Sequence, residues 1–222
     1  MIKTALIMAA GRGARMGRFT DDIPKPMAPF GGTTLIARGI DQLRDHVDCI
    51  YVTVGYKKAM LAQHVIEHGA TAVLNTEGKG NAWWLFGTLL SKLDEPVLVL
   101  TADNVIELDL GLIEKDYVEL GCPPVMLVPV KPVAGLEGDF IFREGSLVTR
   151  LSRNEEHDIY CSGIQVINPS KVNLTADPTE DFNVLWSQLI EKKCLTVSSI
   201  YPKKWFSVDT MDQLSQLQGI SF

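Results

Sequence analysis

The chain opens with an almost unbroken apolar run, residues 4–9 (Thr4-Ala5-Leu6-Ile7-Met8-Ala9). Such a run reads as a strand buried on both faces, the kind found inside parallel sheets. Residues 33–46 place Ile36, Ile40 and Leu43 on one stripe at helical spacing. A second strand is expected over 49–54, a second helix over 57–67 and a short third strand over 71–74. From Asn81, apolar residues fall at Ala82, Leu85, Phe86, Leu89, Leu90 and Leu93, which predicts one regular helix before a strand at 96–101. Strands alternating with helices imply right-handed βαβ units and a parallel sheet.

After about residue 120 the rhythm changes. Residues 125–130, 139–142, 147–151 and 159–167 read as strands joined by Gly-containing turns, including Glu144-Gly145-Ser146. A helix at 182–193 and a strand at 196–200 follow, and Thr210-Met211-Asp212-Gln213 has the spacing of a capping box. The expected fold class is α/β. It would be a single Rossmann-like domain over 1–222 with a mixed, mostly parallel sheet flanked by helices and a more antiparallel second half. Residues 1–120 would form a nucleotide-binding half and 121–222 an acceptor-binding half.

Composition narrows the options. Of the 222 residues, 46% are hydrophobic and 22% charged, close to the average of globular domains. A formal charge of −6 and the lack of a long basic run argue against a nucleic-acid partner, while leaving room for a local phosphate pocket. Cys49, Cys122, Cys161 and Cys194 lie far apart without CxxC spacing, so reduced thiols are expected. Gly11-Arg12-Gly13 interrupts the N-terminal apolar run too early for a signal peptide, and no segment approaches a membrane span. A cytoplasmic protein with no membrane partner is the expectation.

The candidate chemistry begins at Ala9-Ala10-Gly11-Arg12-Gly13-Ala14-Arg15-Met16-Gly17, followed by Pro24-Lys25-Pro26. Glycines directly after a strand let backbone N–H groups crowd around phosphate oxygens. Arg15 can fork across phosphates, and Lys25, read as an exposed loop lysine, supplies a point charge. Met16 stands where a dinucleotide fingerprint needs a third glycine, and the Gly-Lys-Ser/Thr of an ATPase loop is absent. A bland turn is the competing reading. Asp103, at the end of the 96–101 strand, and Asp209, just before the last helix, suit Mg²⁺, which prefers few carboxylates plus water and phosphates. Each also reads as an ordinary turn or cap residue.

The N-terminal run and Pro24-Lys25-Pro26 resemble the signature of the sugar-1-phosphate nucleotidyltransferase superfamily. That resemblance implies transfer of a nucleoside monophosphate from a triphosphate to a sugar 1-phosphate, with pyrophosphate released. It implies that the triphosphate is held near Ala9, Ala10, Gly11 and Gly13, pyrophosphate by Arg15 and the α-phosphate by Lys25. Asp103 and Asp209 would share one Mg²⁺ beside the Gly11–Gly13 loop, slightly splayed without the cation, with Asp103 also on the nucleotide side. Gly80 and Asn81 would meet base and ribose, and Gly163, Glu180 and Arg153 the acceptor. Ala-Ala-Gly loops in that superfamily tend to go with pyrimidines, which favours CTP or UTP.

The Glu-Lys pair common in relatives is missing, with Leu151-Ser152-Arg153-Asn154 in its place. A narrower similarity, to small phosphocholine cytidylyltransferases, rests on Ala102-Asp103-Asn104 and on Asn81 before an aromatic-rich helix. In that case Trp83 or Trp84 would face a quaternary ammonium. A non-catalytic nucleotide-sensing subunit is the alternative of another class. His64 and His68, at i and i+4, read as a solvated helix face.

Overall fold

A computed structural model describes residues 2–133, 135–136 and 138–218. In chain order the elements are β1 (Thr4–Met8), α1 (Phe19–Asp22), β2 (Pro29–Phe30), β3 (Thr33–Thr34), α2 (Leu35–Arg44), β4 (Cys49–Val54), α3 (Lys58–Glu67) and β5 (Ala72–Asn75). Then come α4 (Trp84–Gly87), β6 (Val97–Thr101), β7 (Asn104–Glu107), α5 (Leu110–Glu119) and β8 (Val125–Val130). The remainder is β9 (Phe140–Glu144), β10 (Leu147–Ser152), β11 (Tyr160–Ile167), α6 (Pro169–Thr175), α7 (Phe182–Glu191), β12 (Leu195–Val197), β13 (Lys204–Ser207) and α8 (Met211–Gln218).

Two compact units emerge from the packing. One comprises the described residues of Lys3–Gly78, Leu100–Ile106 and 206–218; the other is built mainly from those of Lys79–Val99 and Glu107–Trp205.

In the first unit the strand order is β5-β4-β1, continued by the end of β6. β1 lies parallel to β4, Leu6 opposite Tyr51, and β4 lies parallel to β5, Val52 opposite Val73. β1 is buried along nearly its whole length, as its apolar run predicts. Helix α2 starts where the Thr34 hydroxyl accepts the Ala37 N–H at 3.2 Å, and it buries Leu35, Ile36, Ile40 and Leu43. A second core layer gathers Met16, Ala28, Phe30, Leu35, Val105, Val208, Leu214 and Leu217. Each large side chain in it contributes roughly 1.5–3 kcal/mol of burial. Met16 anchors the Gly-rich loop in that layer, beside apolar residues from the closing segment.

The second unit reads β6-β11-β8-β12-β10-β9. β11 runs antiparallel to β6 and β8, β10 antiparallel to β9 and β12, and β12 parallel to β8. The fold is therefore α/β, with parallel pairing early and mostly antiparallel pairing late, as the change of rhythm after residue 120 implies.

The continuous helix expected from Asn81 is not there. α4 stops at Gly87, and Thr88 is extended before a short 3₁₀ turn at Leu89–Lys92. The Thr88 hydroxyl donates to the Trp84 carbonyl at 2.7 Å and accepts the Leu90 N–H at 3.2 Å, taking backbone partners that a helix would use. Periodicity also left unassigned α5 and α6, whose starts the Asp109 and Asn168 side chains cap.

Candidate functional site

The Gly-rich loop leaves β1 and turns twice through left-handed backbone, at Gly13 (φ 68°) and Gly17 (φ 61°). Gly13 is required by packing as well as by φ, because a Cβ there would lie 2.6 Å from Cβ and Cδ of Lys25. Nothing lies within 4 Å of a Cβ built on Gly11, so that glycine opens onto free space. The loop, Arg15, Lys25, Pro26, Asp103 and Asp209 line one cavity of about 210 Å³.

Lys25 is not the exposed loop lysine that the sequence suggested: it is 8% exposed. Its ammonium donates to Asp103 Oδ2 at 2.7 Å and to Asp209 Oδ1 at 2.8 Å. Arg15, itself 62% exposed, reaches Asp209 Oδ1 at 2.9 Å. Lys25 thus contacts both carboxylates, supplying a positive charge that offsets their mutual repulsion.

Backbone bonds explain why residues so distant in sequence meet. The Ala102 N–H donates to the Met8 carbonyl at 3.0 Å, joining the ends of β6 and β1. The Val208 N–H donates to the Asp103 carbonyl at 2.9 Å, so Asp209 follows directly beside Asp103. The capping box is formed: Gln213 Oε1 accepts the N–H groups of Asp209 and Thr210, and Thr210 Oγ1 accepts that of Gln213.

The Gly78–Ala82 region is built differently. A Cβ on Gly80 would fall 2.0 Å from the Glu180 carbonyl oxygen, so this glycine accommodates the protein's own backbone. The Gly80 N–H donates to Glu180 Oε2 at 3.1 Å, and the Ala82 N–H donates to the Glu180 carbonyl at 3.0 Å. Asn81 Oδ1 accepts the Phe182 N–H at 3.0 Å, supporting the start of α7. Gly80, Asn81 and Glu180, assigned to two subsites from sequence, thus form one hydrogen-bonded cluster.

Trp84 is buried in the core, while Trp83 carries the Lys79 ammonium 5.5 Å from its ring centroid. Arg153 donates to Asp139 Oδ1 at 2.8 Å and lines a separate cavity of about 580 Å³, with Phe140, His157 and Tyr160 among its walls. Gly163, with φ 81°, sits where the β11–β8 register shifts. The neighbouring Ser162 hydroxyl donates to Val128 O, and its carbonyl accepts Trp205 Nε1–H.

His64 is not freely solvated. Its Nε2 lies 2.8 Å from Thr34 Oγ1 and its ring stacks obliquely on His68 at 4.5 Å. Burial and the His68 charge hold its pKa below the ordinary imidazole value.

Sequence reasoning missed the residues that brace the loop. Thr53 Oγ1 accepts the Ala9 N–H at 3.0 Å, and Tyr56 contacts the loop through its backbone and ring, and α1 through its hydroxyl. Gly55 directly after β4 was the available signal, since a glycine closing a strand often marks a close backbone approach.

The strand-end glycine loop, Arg15, the Pro-flanked Lys25 and the strand-end Asp103 all lie within a segment that matches a known family model. Residues 5–113 match the MobA-like NTP transferase domain. That segment, just under half of the chain, is similar to this NTP transferase family.

Among curated relatives, the UTP–glucose-1-phosphate uridylyltransferase AglF of Haloferax volcanii is 33% identical over 116 residues, 50% of this chain and 47% of AglF. The bifunctional protein GlmU of Methanocaldococcus jannaschii is 33% identical over 109 residues, 48% of this chain and 26% of GlmU. The match therefore spans from about a quarter to about half of these relatives' lengths.

The fold is shared over nearly the whole chain. A putative glucose-1-phosphate thymidylyltransferase from Bacillus anthracis superposes with a TM-score of 0.79 at 13% identity, covering 99% of this chain and 97% of that one. The CTP:phosphocholine cytidylyltransferase LicC of Streptococcus pneumoniae gives 0.76 at 17% identity, covering 98% of each. No helix among the described residues is long and apolar enough to cross a membrane.

Proposed function

We propose that the protein transfers a nucleoside monophosphate from CTP or UTP to a sugar 1-phosphate and releases pyrophosphate. The observation that carries this reading is the single cavity where an open Gly11, two cations and two carboxylates converge. Phosphoryl transfer needs alignment and charge stabilisation more than a dedicated base, and the acceptor phosphate is already an anion near neutral pH. Its oxygen attacks the α-phosphorus. The bond from that phosphorus to the bridging oxygen breaks, and pyrophosphate leaves with the electron pair.

Amides near Ala10, Gly11 and Gly13 would hold the triphosphate, Arg15 the departing pyrophosphate and Lys25 the α-phosphate. Asp103 and Asp209 fit a magnesium ion. They are two half-buried carboxylates already meeting on one cation, and among the described residues no larger cluster of ligating side chains competes with them. The ion, when bound, would supply charge neutralisation at the phosphates. Lys25, which contacts both carboxylates, would hold the α-phosphate with its ammonium on a flexible stem.

The pyrimidine preference rests on Ala9-Ala10-Gly11, and AglF, a uridylyltransferase by name, is consistent with it. Arg153 and Gly163 remain the acceptor candidates. Glu180 joins them less directly, because its carboxylate already serves Gly80. The test is a pyrophosphate-release screen crossing the four common triphosphates with sugar 1-phosphates and phospho-alcohols. Turnover with CTP or UTP and a sugar 1-phosphate is expected. Activity restricted to ATP or GTP would refute the base assignment, and binding without pyrophosphate release would favour a sensing subunit.

A further inference from the structure

Resting on the reading that the loop receives a triphosphate, we propose that Tyr56 is a positioning residue that clamps both ends of the loop in its binding conformation. The backbone N–H of Tyr56 donates to the Ala10 carbonyl at 2.9 Å, at the loop's entry. Its hydroxyl donates to the Thr20 carbonyl at 2.6 Å, in α1 directly after the loop's exit. Between those points the Arg12 guanidinium lies over the ring, 5.4 Å from its centroid, and pairs with Asp21 at 3.0 Å. One residue thus meets the loop at its start and middle, and the helix directly after its end.

The surroundings of Tyr56 are shaped for this contact. A Cβ on Gly55 would meet the Ala10 carbonyl oxygen at 2.6 Å, so only glycine lets the β4 end come this close. Lys57 adopts left-handed backbone (φ 48°), a conformation uncommon outside glycine, and its ammonium lies 5.7 Å from the Tyr56 ring centroid. Thr53 adds a buried bond from the Ala9 N–H at 3.0 Å.

A loop with two left-handed glycines has many conformations open to it, and ordering it around a ligand costs entropy. A clamp meets that cost in the folded protein before the ligand arrives, which strengthens binding without touching phosphate. The contacts involve neither Arg15 nor Lys25, so the chemical step is left to those residues.

The test uses Tyr56→Ala and Tyr56→Phe in the full chain, with trypsin as a ligand-free probe because Arg12, Arg15 and Arg18 lie in the loop. In a Tyr56→Ala protein with wild-type Tm, loop cleavage should quicken about tenfold. The Kd of an α,β-methylene analogue of CTP or UTP should rise by a similar factor, while kcat at saturation changes little. Tyr56→Phe keeps the ring beneath Arg12 and should fall between, at about threefold. Unchanged cleavage in a folded Tyr56→Ala protein overturns the clamp. Should that variant fail to fold, unchanged cleavage in Tyr56→Phe overturns it. A wild-type protein that binds no triphosphate overturns the proposed function instead, and the cleavage rates still decide the clamp.

Discussion

The loop around Gly11 and the loop around Gly80 both place glycine where a nucleotide was expected, yet the two glycines face different neighbours. Gly11 opens onto a cavity, with nothing within 4 Å of where a Cβ would stand, whereas Gly80 presses against the Glu180 backbone. The first region keeps space beside charged groups; the second spends its glycine on internal contact. A glycine in a motif signals that something approaches closely, and only the fold says what.

The largest effects should come from the charged side of that comparison. Asp103→Asn and Asp209→Asn should each lower magnesium-dependent turnover by about a thousandfold, with the double variant little worse than the more damaging single one. Additive losses in steady-state assays would show that the two carboxylates do not serve one ion. Lys25→Ala should lower turnover by at least about a hundredfold. Because the lysine is buried between two carboxylates, the variant should also lose roughly 1–3 kcal/mol of stability, discounted from a fully buried pair, in a denaturant titration. Wild-type turnover in a folded variant would remove Lys25 from the mechanism.

Paired alanines separate the two glycines. Gly80→Ala should destabilise by about 1–3 kcal/mol, the scale of overpacking against backbone that cannot yield. Gly11→Ala should leave denaturant stability nearly unchanged and instead raise the KM for the triphosphate. Equal effects on stability at the two positions would erase the distinction between the loops.

The smallest expected effect is one of pH. The folded-state pKa of His64 is depressed by burial and by His68, so on acidification the unfolded chain takes up protons first. Stability is therefore complete above the ordinary imidazole value of 6.5 and declines as pH falls below it. The drop in Tm between about pH 7.5 and about pH 5.5 should be smaller in His64→Gln than in wild type. An identical drop would show that this imidazole does not titrate differently on folding.

The sequence by itself determined the features whose causes are local. Unrelieved apolar runs predicted β1, β4 and β6, a capping box announced α8, and glycines after β1 announced the loop, because each depends on residues a few positions apart. It also singled out Lys25, Asp103 and Asp209 as one group, through resemblance to a family pattern. Tertiary structure alone decided that Lys25 is buried between the two carboxylates, that Glu180 fills the space above Gly80, and that Tyr56 braces the Gly-rich loop. Each of these depends on contacts across tens to hundreds of residues, such as the Val208–Asp103 and Ala82–Glu180 backbone bonds, which no local pattern encodes. The broken helix after Asn81 belongs to the same lesson in reverse. Its apolar stripe is real, but the hydroxyl of Thr88 claims the backbone partners that continuation would need.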